Sequence, residues 1–199
     1  MLVGLGLGVV FSNFVKKLKL IFKDEFNRVN NDLLGNGWQY YSTDTGFQTT
    51  FGVDNNQMAS KTSTTSANTY RETGISDNMR ISAKFSVYAN FSGITFRRSA
   101  DPLLNTMVSL RSIDATTMRV DRWVGGSNNT TIMTLSGLTL TNGDIWSVEC
   151  RGSEIKIFQN GILRGTVNEP SGQSNTCHGI VSSGNTASRF DDFTVEEIA

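Results

Sequence analysis

Apolar and polar residues alternate with a period of two along most of this chain. Met79, Ile81, Ala83, Phe85 and Val87 take one parity, and Arg80, Ser82, Lys84 and Ser86 the other, which predicts a strand with one buried face. The same reading predicts strands at Trp38 to Tyr41, Phe47 to Val53, Gly93 to Arg97, Met107 to Ile113 and Thr117 to Val124. It continues through a short one at Ile132 to Leu135, then Trp146 to Arg151, Ile155 to Phe158, Gly179 to Ser182 and Phe190 to Ile198. Between them stand turn residues: Asp54-Asn55-Asn56, Asp101-Pro102, Asp114-Ala115, Gly125-Gly126 and Asn160-Gly161. Asn-Gly between alternating runs is a tight-hairpin signal, because both residues accept positive φ. The Ser/Thr-rich run Lys61 to Thr69 reads as a loop or irregular edge, and no stretch has convincing helical periodicity. About a dozen short strands at such spacing predict an all-β fold, an antiparallel two-sheet β-sandwich.

The two ends carry matching corners, Asp24-Glu25-Phe26-Asn27-Arg28 at the start and Phe190-Asp191-Asp192-Phe193 at the finish. A sandwich often opens and closes on neighbouring strands, so residues 16–199 read as one closed domain. Residues 1–15 read as an extended N-terminal arm. Leu5, Leu7 and Val9 alternate with glycines that disfavour helix. The apolar run is far shorter than the ~20 residues of a spanning helix. Lys16, Lys17 and Lys19 follow it, whereas a secretion signal places positive charge first. The expected role of the arm is to anchor the chain to a partner, with Leu5, Leu7, Val9, Val10, Phe11 and Phe14 laid against an exposed sheet edge and its pockets.

Composition narrows the partners. Formal net charge is +0, which argues against a nucleic-acid binder acting through a basic field. With only 2 Pro, the turns rest on Gly, Asn and Asp. Cys150 shares the parity of Trp146 and Val148, and both it and Cys177 read as buried free thiols. The expected core comprises Phe26, Trp38, Phe85, Val87, Ile94, Phe96, Trp146, Val148, Ile155, Ile157 and Phe193.

Taken in order, several of these strings resemble the concanavalin A-like lectin/glucanase sandwiches, the laminin-G-like domains included. They are Asp24 to Arg28 with Gly37-Trp38; Gly93 to Arg97; Trp146-x-Val148 with Gly152, Ile155, Ile157 and Asn160-Gly161; and Phe190 to Phe193. The resemblance covers about residues 20 to 198 and implies a jelly roll that binds sugar, hydrolyses glycans or serves as scaffold; fold alone does not choose among these. It also implies core positions for Trp38 and Trp146. More loosely, a Gly/Leu-rich start joined to a sandwich resembles decoration and tail-appendage proteins of tailed-phage virions.

Glycan hydrolysis needs two carboxylates converging on one bond. Hydrolases of the resembled superfamily carry E-x-D-x-E or a close variant, and no such string occurs here. Asp191-Asp192 and Glu196-Glu197 are adjacent, so their side chains point to opposite faces of a strand; the first pair reads as a turn. His178 is the sole histidine and no G-x-S-x-G elbow accompanies it, so it reads as structural. Asp54-Asn55-Asn56 lacks the spacing of a Ca²⁺ loop. The expectations are no enzyme, no metal and no cofactor. Trp123 shares parity with Arg119 and Asp121, which with Tyr70 and Arg71 makes a candidate glycan-binding group; the competing reading is a covered edge or subunit interface. Lys16, Lys17, Lys19 and Lys23 read as charges that keep an edge strand soluble, or as a contact for an acidic partner.

The function expected from these readings is a non-enzymatic virion protein of a tailed phage, a capsid decoration or cement protein. It would join capsid or tail subunits as a homo-oligomer such as a trimer, assembled in the host cytoplasm, without nucleic acid or membrane as partner. The alternatives are a tail or fibre component and a carbohydrate-binding module for host attachment.

Overall fold

A computed structural model describes residues 17–41, 51–61, 66–101, 106–125, 128–183 and 186–199. The arm residues Leu5, Leu7, Val9, Val10, Phe11 and Phe14 lie outside the described residues, as does most of the strand expected from Phe47. The first strands are β1 (Leu18–Asp24), β2 (Gln39–Tyr41), β3 (Phe51–Asp54), β4 (Gln57–Ser60), β5 (Ser66–Glu72), β6 (Met79–Val87) and β7 (Ser92–Arg98). Then come β8 (Met107–Asp114), β9 (Thr117–Val124), β10 (Asn128–Leu135), β11 (Asp144–Arg151), β12 (Glu154–Gln159), β13 (Ile162–Asn168), β14 (Cys177–Ser183) and β15 (Arg189–Ile198). No helix occurs among the described residues.

These strands form two antiparallel sheets packed as a sandwich. The eight-stranded sheet runs β13-β12-β11-β6-β15-β4-β3, with β1 also pairing with β15. The seven-stranded sheet runs β10-β9-β8-β7-β14-β5-β2. Leu18 stands opposite Ile198 and Asp24 opposite Phe193, so the first and last described strands are neighbours. Along β6 burial alternates as the sequence pattern requires, Met79, Ile81, Ala83 and Phe85 facing inward. Their cross-strand partners on β11, Trp146, Val148 and Cys150, continue the layer. Trp38 packs edge-on against Phe193 at 5.1 Å, and Phe85 edge-on against Phe190 at 5.0 Å; such pairs add to plain area burial. The expected core is buried except Val87, half-buried at the end of β6 where the pairing with β15 shifts register.

Three local expectations are corrected. Ser66 to Thr69, whose pattern suggests a loop or irregular edge, belong to β5 between β14 and β2, and pair with Ser183 to Ile180 of β14; Thr69 hydroxyl also donates to the Gln39 carbonyl. The strand expected from Ile132 begins at Asn128, because polar Asn129, Thr130 and Thr131 pair with Trp123, Arg122 and Asp121. Asp191-Asp192 is a bulge inside β15, not a turn, with Asp192 at φ 49 and the register broken between Asp191 and Thr194. Asn55 and Asn56, both at positive φ, do form the β3–β4 hairpin turn.

His178 and Arg97 close one end. The Arg97 backbone N–H donates to His178 Nδ1 at 3.2 Å, which leaves Nε2 to donate to the Ile75 carbonyl at 2.8 Å. Burial in this neutral, fully bonded state pushes the imidazole pKa down to about 4. The Arg97 guanidinium, also buried, donates to the carbonyls of Glu169 and Gly152, linking this sheet to a hairpin of the other.

Candidate functional site

Parity puts Ile94, Leu110, Val120 and Ile180 of the seven-stranded sheet into the core. The residues between them therefore line its outer face. One row across the strands reads Tyr70, Gly179, Thr95, Ser109, Asp121 and Thr131. The next row on one side reads Asn68, Val181, Gly93, Arg111 and Arg119. On the other side Met107, Trp123 and Asn129 lie opposite one another.

The middle of this face is small in side chain and closed to solvent, with Thr95, Ser109 and Asp121 fully buried. A Cβ at Gly93 would lie 1.9 Å from the Leu110 carbonyl oxygen, and one at Gly179 1.9 Å from that of Thr69. Glycine is required at both positions for the strands to approach as they do. Beside this floor stand Trp123 and a charged group. The Trp123 indole N–H donates to Ser109 Oγ at 2.9 Å. The Arg111 guanidinium lies 4.8 Å from the Trp123 ring and 5.6 Å from that of Phe91, between the two aromatics. Asp121, fully buried, accepts from Arg111 Nε at 2.8 Å, Arg119 Nε at 2.9 Å and the Thr131 hydroxyl at 2.9 Å. Burial lowers the Arg111 pKa and the neighbouring Arg119 charge adds to that, while Asp121 opposes both.

Of the residues singled out from the sequence, Trp123, Arg119 and Asp121 stand together on this face. Tyr70 shares it four strands away, at about 19 Å by strand spacing, with the Arg98 guanidinium stacked over its ring at 4.0 Å. Arg71 is not brought to the group. It takes the opposite parity, lies over the Phe22 ring at 5.0 Å and donates to the Asn36 carbonyl. Sequence reasoning missed Ser109, Arg111, Thr131 and Phe91. The first two were accessible, since inward Val108 and Leu110 force Ser109 and Arg111 outward; Thr131 was lost with the shortened β10.

Two buried polar atoms on this face, Thr95 Oγ1 and Asn68 Oδ1, have no hydrogen-bond partner. Buried polar groups in native proteins are nearly always satisfied, and an orphan calls for an explanation such as a ligand or water. The other sites weighed from the sequence do not gather here. Lys19 pairs with Glu197 at 3.1 Å and Lys23 with Glu25, along β1 at the sheet edge. Both cysteines are free and buried, and burial pushes each thiol up to about 12.

No protein-family model and no curated protein matches this sequence. Solved structures do. The carbohydrate binding module CBM66 from Bacillus subtilis superposes at TM-score 0.61 and 14% identity, over 81% of this chain and 96% of that one. The catalytic domain of an endo-1,3-beta-glucanase (laminarinase) from Thermotoga petrophila gives TM-score 0.59 and 11% identity, over 92% and 99%. A Bacillus subtilis protein with a galectin-like fold gives 0.63 and 8%, over 90% and 96%. The fold is thus the two-sheet jelly-roll sandwich that these solved structures share. The expectation of no enzyme is corrected by these likenesses, because laminarinase and glucanase catalytic domains are built on the same sandwich. The virion expectation gains no support from them.

Proposed function

We propose that the protein is a carbohydrate-binding module that takes its ligand on the outer face of the seven-stranded sheet, with a sugar ring against Trp123. The observation that carries this reading is the seat of Trp123: half-buried, fixed by Ser109 and Arg111, and flanked by Asp121, Arg119 and Thr131 on the outer face. A pyranose has an apolar C–H face that packs on an aromatic plane and equatorial hydroxyls that need planar hydrogen-bond partners at its rim. A few fixed polar groups beside an aromatic plane are how such sites discriminate. Holding the indole and guanidinium in place beforehand lowers the ordering cost of binding. The structural likeness to a carbohydrate binding module supports the same reading.

The test is a glycan microarray followed by calorimetry on the hits. Trp123→Ala should weaken binding by at least roughly tenfold, the loss of an aromatic contact of about 1.4 kcal/mol or more, while circular dichroism stays unchanged. Absence of binding across neutral and charged polysaccharides would overturn the reading.

A further inference from the structure

Beside Trp123 the outer face carries unbalanced charge. Asp121 is one carboxylate facing two guanidinia, and both Arg111 and Arg119 spend only their Nε–H on it. Among the described residues no acceptor hydrogen-bonds to the Nη groups of either arginine. Arg111 is nearly closed off between Phe91 and Trp123, whereas the Arg119 side chain keeps 25% of its surface open. The group therefore holds one positive charge in excess, fixed beside the aromatic that receives the sugar.

We infer that the ligand is an acidic glycan, whose ring oxyanion (a uronate carboxylate or a sulfate ester) docks on the Nη fork of Arg119 with Arg111 behind it. This rests on the sugar-binding reading and specifies its substrate class. A guanidinium offers two parallel N–H donors that match the two oxygens of a carboxylate or sulfate, a geometry that neutral hydroxyls do not exploit. The Asp121 contact on Nε sets the plane of each fork, so the donors are aimed before the ligand arrives.

The experiment is calorimetry on the full chain with size-matched oligosaccharides: neutral β-1,3-glucan oligomers, oligogalacturonates and sulfated galactan oligomers. At low salt, an acidic set should bind at least about tenfold tighter than the neutral one. That margin should shrink when salt is raised several-fold, since screening shortens the reach of exposed charge. Arg119→Gln should weaken acidic binding far more than neutral binding and so erase the margin, and Arg119→Lys should keep part of it. The carboxylate and sulfate arms identify which oxyanion the fork takes. Equal affinity for neutral and acidic oligomers, both lost in Trp123→Ala, would leave the sugar site standing and overturn the acidic class. A preference that survives Arg119→Gln would overturn the assignment to these residues. Failure to bind any of the three would overturn both readings.

Discussion

Trp38 donates its indole N–H to the Asp24 carboxylate at 2.8 Å, both buried, across 14 residues of chain. The same carboxylate accepts from the Phe26 backbone N–H at 2.8 Å, from Asn36 at 3.2 Å and from both ends of the Arg28 guanidinium at 2.7 and 3.0 Å. One side chain thus ties the end of β1 to the turn that leads into β2, and holds Phe26 at φ 52 where a non-glycine residue is otherwise strained.

Asp24→Ala should be among the most damaging single changes outside the apolar core. It strands a buried indole N–H and a half-buried guanidinium, a loss of about 3 kcal/mol. In a chain of this size that lowers Tm by roughly 6 to 12 °C. Burial by itself raises the Asp24 pKa, but the hydrogen bonds from Arg28, Trp38, Phe26 and Asn36 outweigh it and hold the group below the usual carboxylate range. Its contribution is therefore complete above the ordinary carboxylate pKa and is lost as pH falls through the lowered one. A melting temperature for Asp24→Ala within a degree or two of wild type would sink this account.

His178 predicts a second, separate acid dependence. Its folded pKa of about 4 lies below the ordinary 6.5, so the unfolded chain takes up the proton first. Stability should be full above pH 6.5, decline as pH falls toward 4, and stop changing on this account below that. The gap corresponds to about 3 kcal/mol. Denaturant titrations across that window should show the slope, and His178→Gln should flatten it. A wild-type stability that does not vary between these limits would contradict the buried neutral imidazole.

Much of the fold was legible because inside and outside alternate along strands such as β6 and β12. The β6 pattern and the β11–β12 hairpin each follow from parity and turn chemistry alone. What escaped was strand formation by residues with no apolar parity. Ser66 to Thr69 and Asn129 to Thr131 pair because their neighbours Ile180, Val181 and Trp123 are already placed, which is tertiary context rather than propensity. At the site, parity found Trp123, Arg119 and Asp121 on one strand. Parity on the adjacent strand also turns Ser109 and Arg111 outward, but only register sets them beside Asp121 and Trp123. Arg71 was chosen as the neighbour of Tyr70, yet adjacency in a strand means opposite faces.

The glycine floor makes a sharp contrast testable. Gly179→Val should prevent soluble folding, because its Cβ would lie 1.9 Å from Thr69 oxygen and 2.6 Å from Tyr70 Cα, both backbone atoms of β5 that cannot swing aside. Gly125, at φ +64 with nothing within 4 Å, should accept Asn with little cost, since Asn tolerates that conformation. Expression in the soluble fraction and circular dichroism distinguish them; a well-folded Gly179→Val would show that β14 and β5 are not packed as described.

The arrangement around Asp121 predicts an ordering of losses. Asp121→Ala removes the counter-charge of a buried guanidinium and an acceptor for the Thr131 hydroxyl, and should cost about 3 to 5 kcal/mol. Arg119→Gln leaves the Arg111–Asp121 pair in place and concerns a partly open side chain, so it should cost no more than about 1 kcal/mol. Replacing Arg111 by Met in the Asp121→Ala background should recover part of the loss, because the uncompensated cation rather than the missing contact dominates it. Urea denaturation of the three variants measures this directly. If Asp121→Ala and Arg119→Gln cost the same, or if Arg111→Met deepens the defect instead of relieving it, Asp121 does not serve as the counter-ion that holds the two forks in place.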